Sequence, residues 1–242
     1  MADWIAAIVP AAGRGVRMGA GVPKQFLTLG GVPLLVHSLQ TFEAAHIISE
    51  IILVVPQDDC QYCREDIVLS YGLKKVSQVI AGGRRRQDSV LNGVRAANSA
   101  TDIVVVHDAV RPFVTLKMIT QVVEATRNHG AAIVAMPMRD TVKRVNGEGI
   151  IKETLNREEL WLAQTPQAFR RDVLLRAHQQ GETDGVDATD DAFLVERLGL
   201  TVAIVQGSSD NIKVTRLEDL HMGEAILTAK SSGTCTEGFA QE

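Results

Sequence analysis

The feature that most constrains the fold of this chain is a series of short, uninterrupted apolar runs. Such runs are typical of strands buried on both faces of a parallel sheet, whereas a strand with one wet face alternates apolar and polar residues. They lie at residues 5–10, 51–56, 78–81, 103–107, 131–137 and 202–205.

Segments with helical periodicity separate these runs. Apolar residues recur at three- and four-residue spacing within 34–42, 90–97, 119–126 and 217–227. Strands that alternate with such helices indicate an α/β domain, here a Rossmann-like, mostly parallel sheet with helices on both faces. Because such sheets bind ligands at the C-terminal ends of their strands, we expect site residues just after positions 10, 56, 82, 107, 137 and 206.

Length and charge narrow the class of protein. A chain of 242 residues is expected to form one domain, over residues 1–230, with a disordered tail at 231–242. The net charge of −4 argues against a nucleic-acid partner. No apolar run reaches about 18 residues, and no basic segment precedes the first apolar run, so we expect a cytoplasmic protein without a membrane partner.

One stretch interrupts the alternation of strands and helices. Two β-prone runs, 141–145 and 150–154, flank an Asn-Gly turn and predict a β-hairpin arm over about residues 139–157. Because an isolated hairpin is marginally stable in water, we expect it to pack on another surface. A second subunit is a natural candidate.

The loop at 10–18, directly after the first run, combines small residues with cations. Its glycines let backbone N–H groups approach a phosphate. The loop lacks the third glycine of the dinucleotide fingerprint, since Met18 stands there, and it lacks the Gly-Lys-Ser/Thr ending of a P-loop. An ordinary glycine-rich turn has little use for nearby cations, so we favour polyphosphate binding. The cations are Arg14, Arg17 and Lys24.

Two further loops follow predicted strands. Gly82-Gly83 lets the backbone approach a flat base, and Ser89 can hydrogen-bond a base edge; the arginines at 84–86 are either a phosphate contact or a solvated charge run. After the run 103–107, Asp108 could position a sugar hydroxyl or hold Mg²⁺. Alternatively, Asp108 could form a purely structural ion pair with Arg111. His107 is interpreted as a buried histidine with satisfied hydrogen bonds.

The chain shows no arrangement of nucleophile and base with an interpretable spacing. Cys60 and Cys63 form a Cys-x-x-Cys without a second pair of metal ligands, so we interpret them as incidental cysteines on a helix. Without a protein nucleophile, direct displacement at phosphorus by the substrate is the natural mechanism, since phosphoryl and nucleotidyl transfer need mainly positioning and charge neutralisation.

Taken together, the motifs resemble the sugar-phosphate nucleotidyltransferases and, among them, the 2-C-methyl-D-erythritol 4-phosphate cytidylyltransferase family of the non-mevalonate isoprenoid pathway. The resemblance covers about residues 4–228. The opening Pro-Ala-Ala-Gly-x-Gly-x-Arg-Met and Pro-Lys-Gln carry it. Further motifs that carry it are His-Asp-Ala-x-Arg-Pro at 107–112, Asp-Thr-Val-Lys-Arg at 140–144, Thr-Pro-Gln-Ala-Phe at 165–169, Thr-Asp-Asp-Ala at 189–192 and Asn-Ile-Lys-Val-Thr at 211–215.

The resemblance implies transfer of CMP from CTP to methylerythritol phosphate with Mg²⁺, by in-line attack of the acceptor phosphate on the α-phosphorus. It implies a homodimer in which the hairpin crosses to the partner and Thr141 and Arg157 serve the partner's site. The implied catalytic residues are Arg17, Lys24, Arg157 and Lys213. The implied nucleotide-binding residues are Ala11, Ala12, Gly13, Gly83 and Ser89, and the implied acceptor-binding residues are Asp108, Arg111, Thr141, Arg157 and Lys213.

One position departs from the family pattern, and two alternatives stay open. Many relatives carry an acidic residue after Gly-Gly, where this chain has Arg84, so any contact of that carboxylate with CTP is in doubt. A ribitol-5-phosphate cytidylyltransferase shares the opening loop and the His-Asp-Ala-Val-Arg-Pro run. A non-catalytic CTP sensor is the more distant alternative. A sensor need not keep the acceptor-binding residues, whereas this chain has Arg17, Lys24, Arg157 and Lys213.

Overall fold

The computed structural model describes residues 3–13 and 23–232 of the chain. The strands are β1 (Trp4–Pro10), β2 (Thr28–Leu29), β3 (Val32–Pro33), β4 (Glu50–Val55), β5 (Val76–Ala81), β6 (Thr101–Val106), β7 (Ala131–Pro137), β8 (Lys143–Val145), β9 (Ile151–Thr154), β10 (Trp161–Arg170) and β11 (Ala203–Gln206). The helices are α1 (Leu34–Ala44), α2 (Cys60–Tyr62), α3 (Arg86–Ala96), α4 (Leu116–His129), α5 (Arg171–Thr183), α6 (Asp191–Arg197) and α7 (Leu217–Ser231).

Seven strands form one sheet in the order β11-β7-β10-β6-β1-β4-β5. Every apolar run of the sequence is a strand of this sheet, which confirms the α/β prediction. The strand β10 runs antiparallel to both of its neighbours, whereas the other neighbouring strands pair in parallel. The chain reverses its strand order after β5, so β6 lies on the other side of β1, and the loops that follow β1, β5 and β6 meet at one edge.

Helices cover both faces of the sheet, as the sequence predicts. Along β1, Ile5, Ala7 and Val9 belong to a buried cluster with side chains of α1 and α4. Ala6 and Ile8 point the other way and pack with side chains of α3, α5 and α6. This alternation explains why the run is apolar at every position: both faces of the strand are buried.

The strand β10 has no counterpart among the apolar runs of the sequence, because polar residues interrupt it at positions 164, 165 and 167. These three polar side chains are buried and hydrogen-bonded. Gln164 donates to the Ser208 carbonyl at 2.9 Å, and Gln167 donates to Asp190 at 2.8 Å. The pairing with β7 is irregular between Ala163 and Gln167, around a proline that has no N–H for the ladder.

The predicted hairpin is present as β8 and β9, paired antiparallel. Its turn extends over 146–150: the Asn146 side chain accepts the N–H groups of Glu148 and Ile150, and Gly149 takes the left-handed conformation at φ +80°. All residues of both strands are exposed. The dimer role of the hairpin stays a prediction.

At the C-terminus, α7 extends to Ser231, so it includes the first residue of the expected tail. Residues 233–242 lie outside the described ranges. In residues 3–13 and 23–232, we find no helix with the length and apolar character of a membrane span.

The Cys-x-x-Cys lies on a helical segment that starts with α2 and continues as a π-helix over Cys63–Leu69. Both cysteines belong to the buried core. Burial raises the pKa of the Cys63 thiol to about 12, which is the opposite of what a reactive thiol needs. These cysteines therefore act as apolar packing residues.

Candidate active site

A cavity opens where the loops after β1, β5 and β6 converge at the C-terminal edge of the sheet, as expected from the strand order. We call it the nucleotide cavity, after the ligand that the sequence predicts for these loops. The sequence-predicted residues that line it are Ala11, Ala12, Gly13, Lys24, Gly83, Ser89, Asp108 and Lys213.

The lining of the nucleotide cavity is strongly cationic. Among the described residues, five cations (Lys24, Arg84, Arg85, Arg86 and Lys213) line it against one carboxylate, that of Asp108. The chain as a whole carries a formal charge of −4. A local excess of positive charge in an acidic protein fits a polyanionic ligand such as a triphosphate.

The Gly82-Gly83 turn is fixed by close packing between the first loop and α3. A Cβ atom on Gly82 would lie 2.3 Å from the Ala12 Cβ, and one on Gly83 would lie 2.4 Å from the Asp88 Cβ. Ser89 Oγ accepts the Gly83 N–H at 3.0 Å and donates to the Arg85 carbonyl at 3.2 Å. Ser89 therefore holds the turn in place and keeps one lone pair for a ligand donor.

The three consecutive arginines have three different environments, so neither sequence interpretation fits all of them. Arg84 is exposed at the rim of the nucleotide cavity. Arg85 caps α3 and pairs with Asp88 at 2.7 Å. Arg86 lies between two carboxylates, those of Asp108 and Asp191.

Asp108 is the buried centre of the site. Its Oδ1 accepts from Arg86 Nε at 2.9 Å, and its Oδ2 accepts from Lys213 Nζ at 2.7 Å. Burial alone would raise the pKa of this carboxyl group, but the two cations outweigh it and hold the pKa well below its usual range. Asp108 is therefore an anion throughout the physiological range, with both oxygens engaged.

Arg111 is not the ion-pair partner of Asp108, so that alternative is wrong. Its guanidinium donates instead to the Asn211 carbonyl at 2.7 Å, and burial lowers its pKa. The neighbouring His107 is fully buried, with its ring nitrogens 3.1 Å from the Arg111 carbonyl and 3.0 Å from Thr165 Oγ1. Burial lowers the pKa of His107 to about 4, so it is neutral at pH 7, which confirms the interpretation of a buried, satisfied histidine.

A second cavity lies beside the first, and we call it the acceptor cavity, after the acceptor that the sequence resemblance leads us to expect. Gln164, Thr165 and Gln167 of β10 line it, together with Arg111, Thr189 and Asp190. Arg86, Asp108 and Lys213 line both cavities. The two cavities therefore share one charged wall.

Lys213 reaches this wall from the loop after β11, which is tied to the rest of the site at two points. The Asn211 amide donates to Gln164 Oε1 at 3.1 Å and to the Thr165 carbonyl at 2.8 Å. The Val214 N–H donates to the Val110 carbonyl at 2.9 Å. These bonds hold Lys213 between the two cavities.

Among the described residues, two predicted site residues do not join this constellation in the single chain. Thr141 and Arg157 flank the hairpin and are exposed, and neither lines either cavity; Arg157 donates to the Arg139 carbonyl at 2.8 Å. Arg17 lies outside the described residues. The expected contribution of Thr141 and Arg157 to a partner's site stays a prediction.

Sequence reasoning missed several residues of the shared site. Arg86 was part of a charge run with two open interpretations, Gln164 lies outside every quoted motif, and Thr165 and Asn211 stood in motifs in which they had no assigned role. The available signal was the combination of a carboxylate after one strand with polar residues in an otherwise apolar strand, which indicates a buried polar network.

Comparison with known proteins agrees with this geometry. The family model described as 2-C-methyl-D-erythritol 4-phosphate cytidylyltransferase matches residues 5–229. The chain belongs to this family. A protein of that name from Syntrophus aciditrophicus is 48% identical over 227 residues, which is 94% of this chain and 97% of that protein.

Solved structures of the cytidylyltransferase family have the same fold. The crystal structure of 4-diphosphocytidyl-2C-methyl-D-erythritol synthase from Anaerococcus prevotii superposes with a TM-score of 0.84 at 30% identity, covering 94% of this chain and 97% of that one. The 2-C-methyl-D-erythritol 4-phosphate cytidylyltransferase from Thermus thermophilus superposes with a TM-score of 0.75 at 34% identity, covering 93% and 99%. The chain therefore has the fold of these cytidylyltransferases.

Proposed function

We propose that this chain transfers the CMP group of CTP to the phosphate of 2-C-methyl-D-erythritol 4-phosphate. The product is 4-diphosphocytidyl-2-C-methyl-D-erythritol, and pyrophosphate leaves, as a step of isoprenoid precursor synthesis in the cytoplasm. Membership of the cytidylyltransferase family supports this reaction. The structural observation that carries it is the shared wall: Lys213 lines both cavities, so two phosphate groups bound on either side would meet at its ammonium.

In this mechanism an oxygen of the acceptor phosphate attacks the α-phosphorus of CTP. A new P–O bond forms, the bond between the α-phosphorus and the bridging oxygen of the β-phosphate breaks, and pyrophosphate carries the electron pair away. Lys24, Arg17 and Lys213 stabilise the negative charge that builds up around the α-phosphorus. The protein thus works by positioning and charge neutralisation, without a covalent intermediate.

We propose that Mg²⁺ enters as its CTP complex. Asp108 is the one carboxylate among the described residues that line the nucleotide cavity, and both of its oxygens already bind cations. In the described ranges no group of three or more His, Cys, Asp or Glu side chains forms a metal site. This lining suits a metal held by the triphosphate oxygens, where it offsets phosphate charge.

We also propose that two chains assemble through the hairpin, so that Arg157 of each reaches the other's acceptor cavity. Apolar side chains on and beside the hairpin are exposed, including Ile151 at 59% and Leu162 at 49%, which fits an interface. Complementation tests this. A mixture of the impaired Arg157→Ala and Lys213→Met chains forms heterodimers with one intact site, so about a quarter of wild-type activity returns on random pairing. If each site is built from one chain, the activity of the mixture stays at the low level of the two variants measured separately.

Labelled oxygen tests the bond that forms. With ¹⁸O in the acceptor phosphate, attack on the α-phosphorus leaves all the label in the cytidylyl product and none in pyrophosphate. Mass spectrometry of both products reads this directly. Loss of one labelled oxygen from the cytidylyl product would mean that the P–O bond of the acceptor breaks instead. Labelled acceptor that carries added phosphoryl groups in place of CMP would mean attack at the β- or γ-phosphorus, and either result would overturn the proposed step.

A further inference from the structure

Arg86 is divided between two carboxylates. Its Nε donates to Asp108 Oδ1 at 2.9 Å, and its NH1 donates to Asp191 Oδ2 at 2.8 Å. A guanidinium beside a single carboxylate favours a two-bond fork that occupies both carboxylate oxygens. Here Arg86 takes one oxygen of Asp108 and leaves the other, which pairs with Lys213 at 2.7 Å.

Asp191 does not line either cavity and is fully buried. It is the first residue of α6, directly after Asp190, whose side chain caps that helix by accepting the Phe193 N–H at 3.0 Å. Behind it, Asp191 Oδ1 lies 3.2 Å from His178 Nε2. The position of Asp191 is therefore set by the start of α6 and by α5, and among the described residues it contacts the charged wall through Arg86.

We propose that Asp191 is a positioning residue, which holds Arg86 on one oxygen of Asp108 and so reserves the other oxygen for Lys213. Without the charge of Asp191, Arg86 closes its fork on Asp108 and displaces the ammonium of Lys213. In this row of alternating charges, the order Asp191, Arg86, Asp108, Lys213 fixes the position of the Lys213 ammonium. The role of Lys213 in the transfer rests on the proposed function, whereas its pairing with Asp108 does not.

Acetylation of Lys213 tests the pairing without any turnover. Wild type, Asp191→Asn and the double variant Asp191→Asn/Arg86→Met are treated with acetic anhydride, and mass spectrometry follows Lys213 relative to the exposed Lys117. In Asp191→Asn the displaced amine should react at least about threefold faster than in wild type. In the double variant no guanidinium competes for Asp108, so the rate should return to the wild-type value.

The double variant separates positioning from a merely structural role. If Asp191 only stabilises the fold, Arg86→Met adds a second defect and Lys213 stays fast, which overturns the proposal. An unchanged Lys213 rate in folded Asp191→Asn overturns it as well. Should Asp191→Asn not fold, Asp191→Glu takes its place: it keeps the charge, so Lys213 should stay as slow as in wild type, and a fast rate contradicts the proposal.

Turnover gives a second readout. In Asp191→Asn we expect kcat to fall about tenfold to 10²-fold, because Lys213 stands away from the reacting phosphates. Asp184→Asn is the matched control: it removes a 2.9 Å pair with Arg197 that is exposed and lies outside both cavities, so kcat should not change. A wild type without transferase activity would refute the proposed function alone, and the acetylation rates would still decide the positioning role.

Discussion

Replacing Lys213 by methionine removes one charge from the wall between the two cavities and keeps most of the length of the side chain. A charge about 4 Å from a phosphate is worth roughly 4 kcal/mol at the effective dielectric near a protein surface. The Lys213 side chain is 39% exposed, so solvent screening reduces this to about 2 kcal/mol. A fall in kcat of about 30-fold is then the lower expectation, and about 10³-fold, as for a preorganised oxyanion donor, is the upper one.

The stability of the protein should change little in this variant. Asp108 keeps its pair with Arg86 at 2.9 Å, so no buried carboxylate is left without a partner. The assay is steady-state pyrophosphate release with CTP and Mg²⁺, with the melting temperature measured in parallel. Lys117→Met, on the exposed face of α4, is the matched control for loss of a lysine. A fall of less than about threefold in kcat, in a folded variant, would refute the role of Lys213.

Three further predictions follow from the site. Lys24→Ala should lower kcat about 10²–10³-fold in the same assay, because it removes a cation from the nucleotide cavity; a fall below tenfold contradicts its role. Gly82→Ala should weaken CTP binding in calorimetry and lower the melting temperature, since its Cβ would lie 2.3 Å from Ala12; Gly147→Ala, with open space around it, is the control, and equal effects would refute the packing argument. Burial lowers the pKa of His107 from the usual 6.5 to about 4 in the folded protein, so the unfolded chain takes up the proton first. The neutral ring therefore stabilises the folded state fully above pH 6.5, and this stabilisation is lost as pH falls toward 4. Urea unfolding at pH 7 and pH 5 should show a loss of about 2 kcal/mol that is absent in His107→Asn, and an equal loss in both proteins would contradict it.

The central sheet could be read from the sequence because strands buried on both faces leave an uninterrupted apolar run. The strand β10 could not, since Gln164, Thr165 and Gln167 turn their polar groups into a buried hydrogen-bond network rather than into water. A polar residue satisfied inside the protein looks, in the sequence, like a polar residue in a loop.

The location of the site was predictable, whereas its internal pairing was not. The loops after β1, β5 and β6 had to meet at one edge of the sheet, so glycines and cations in them pointed to a shared cavity. The ion-pair partners of Asp108 could not be predicted in this way. Arg111 is three residues away in the chain, yet Arg86 from the start of α3 and Lys213 from the loop after β11 occupy both oxygens. Such pairing depends on tertiary contacts that local spacing does not encode.

The most direct test of the account is pyrophosphate release from CTP and Mg²⁺ with 2-C-methyl-D-erythritol 4-phosphate and ribitol 5-phosphate offered in parallel to the wild-type protein. The account predicts strong preference for methylerythritol phosphate. Preference for ribitol phosphate would contradict the assignment of the acceptor while leaving the nucleotide cavity intact. Release with neither acceptor, from a folded protein that binds CTP, would contradict the transferase itself and favour a CTP sensor.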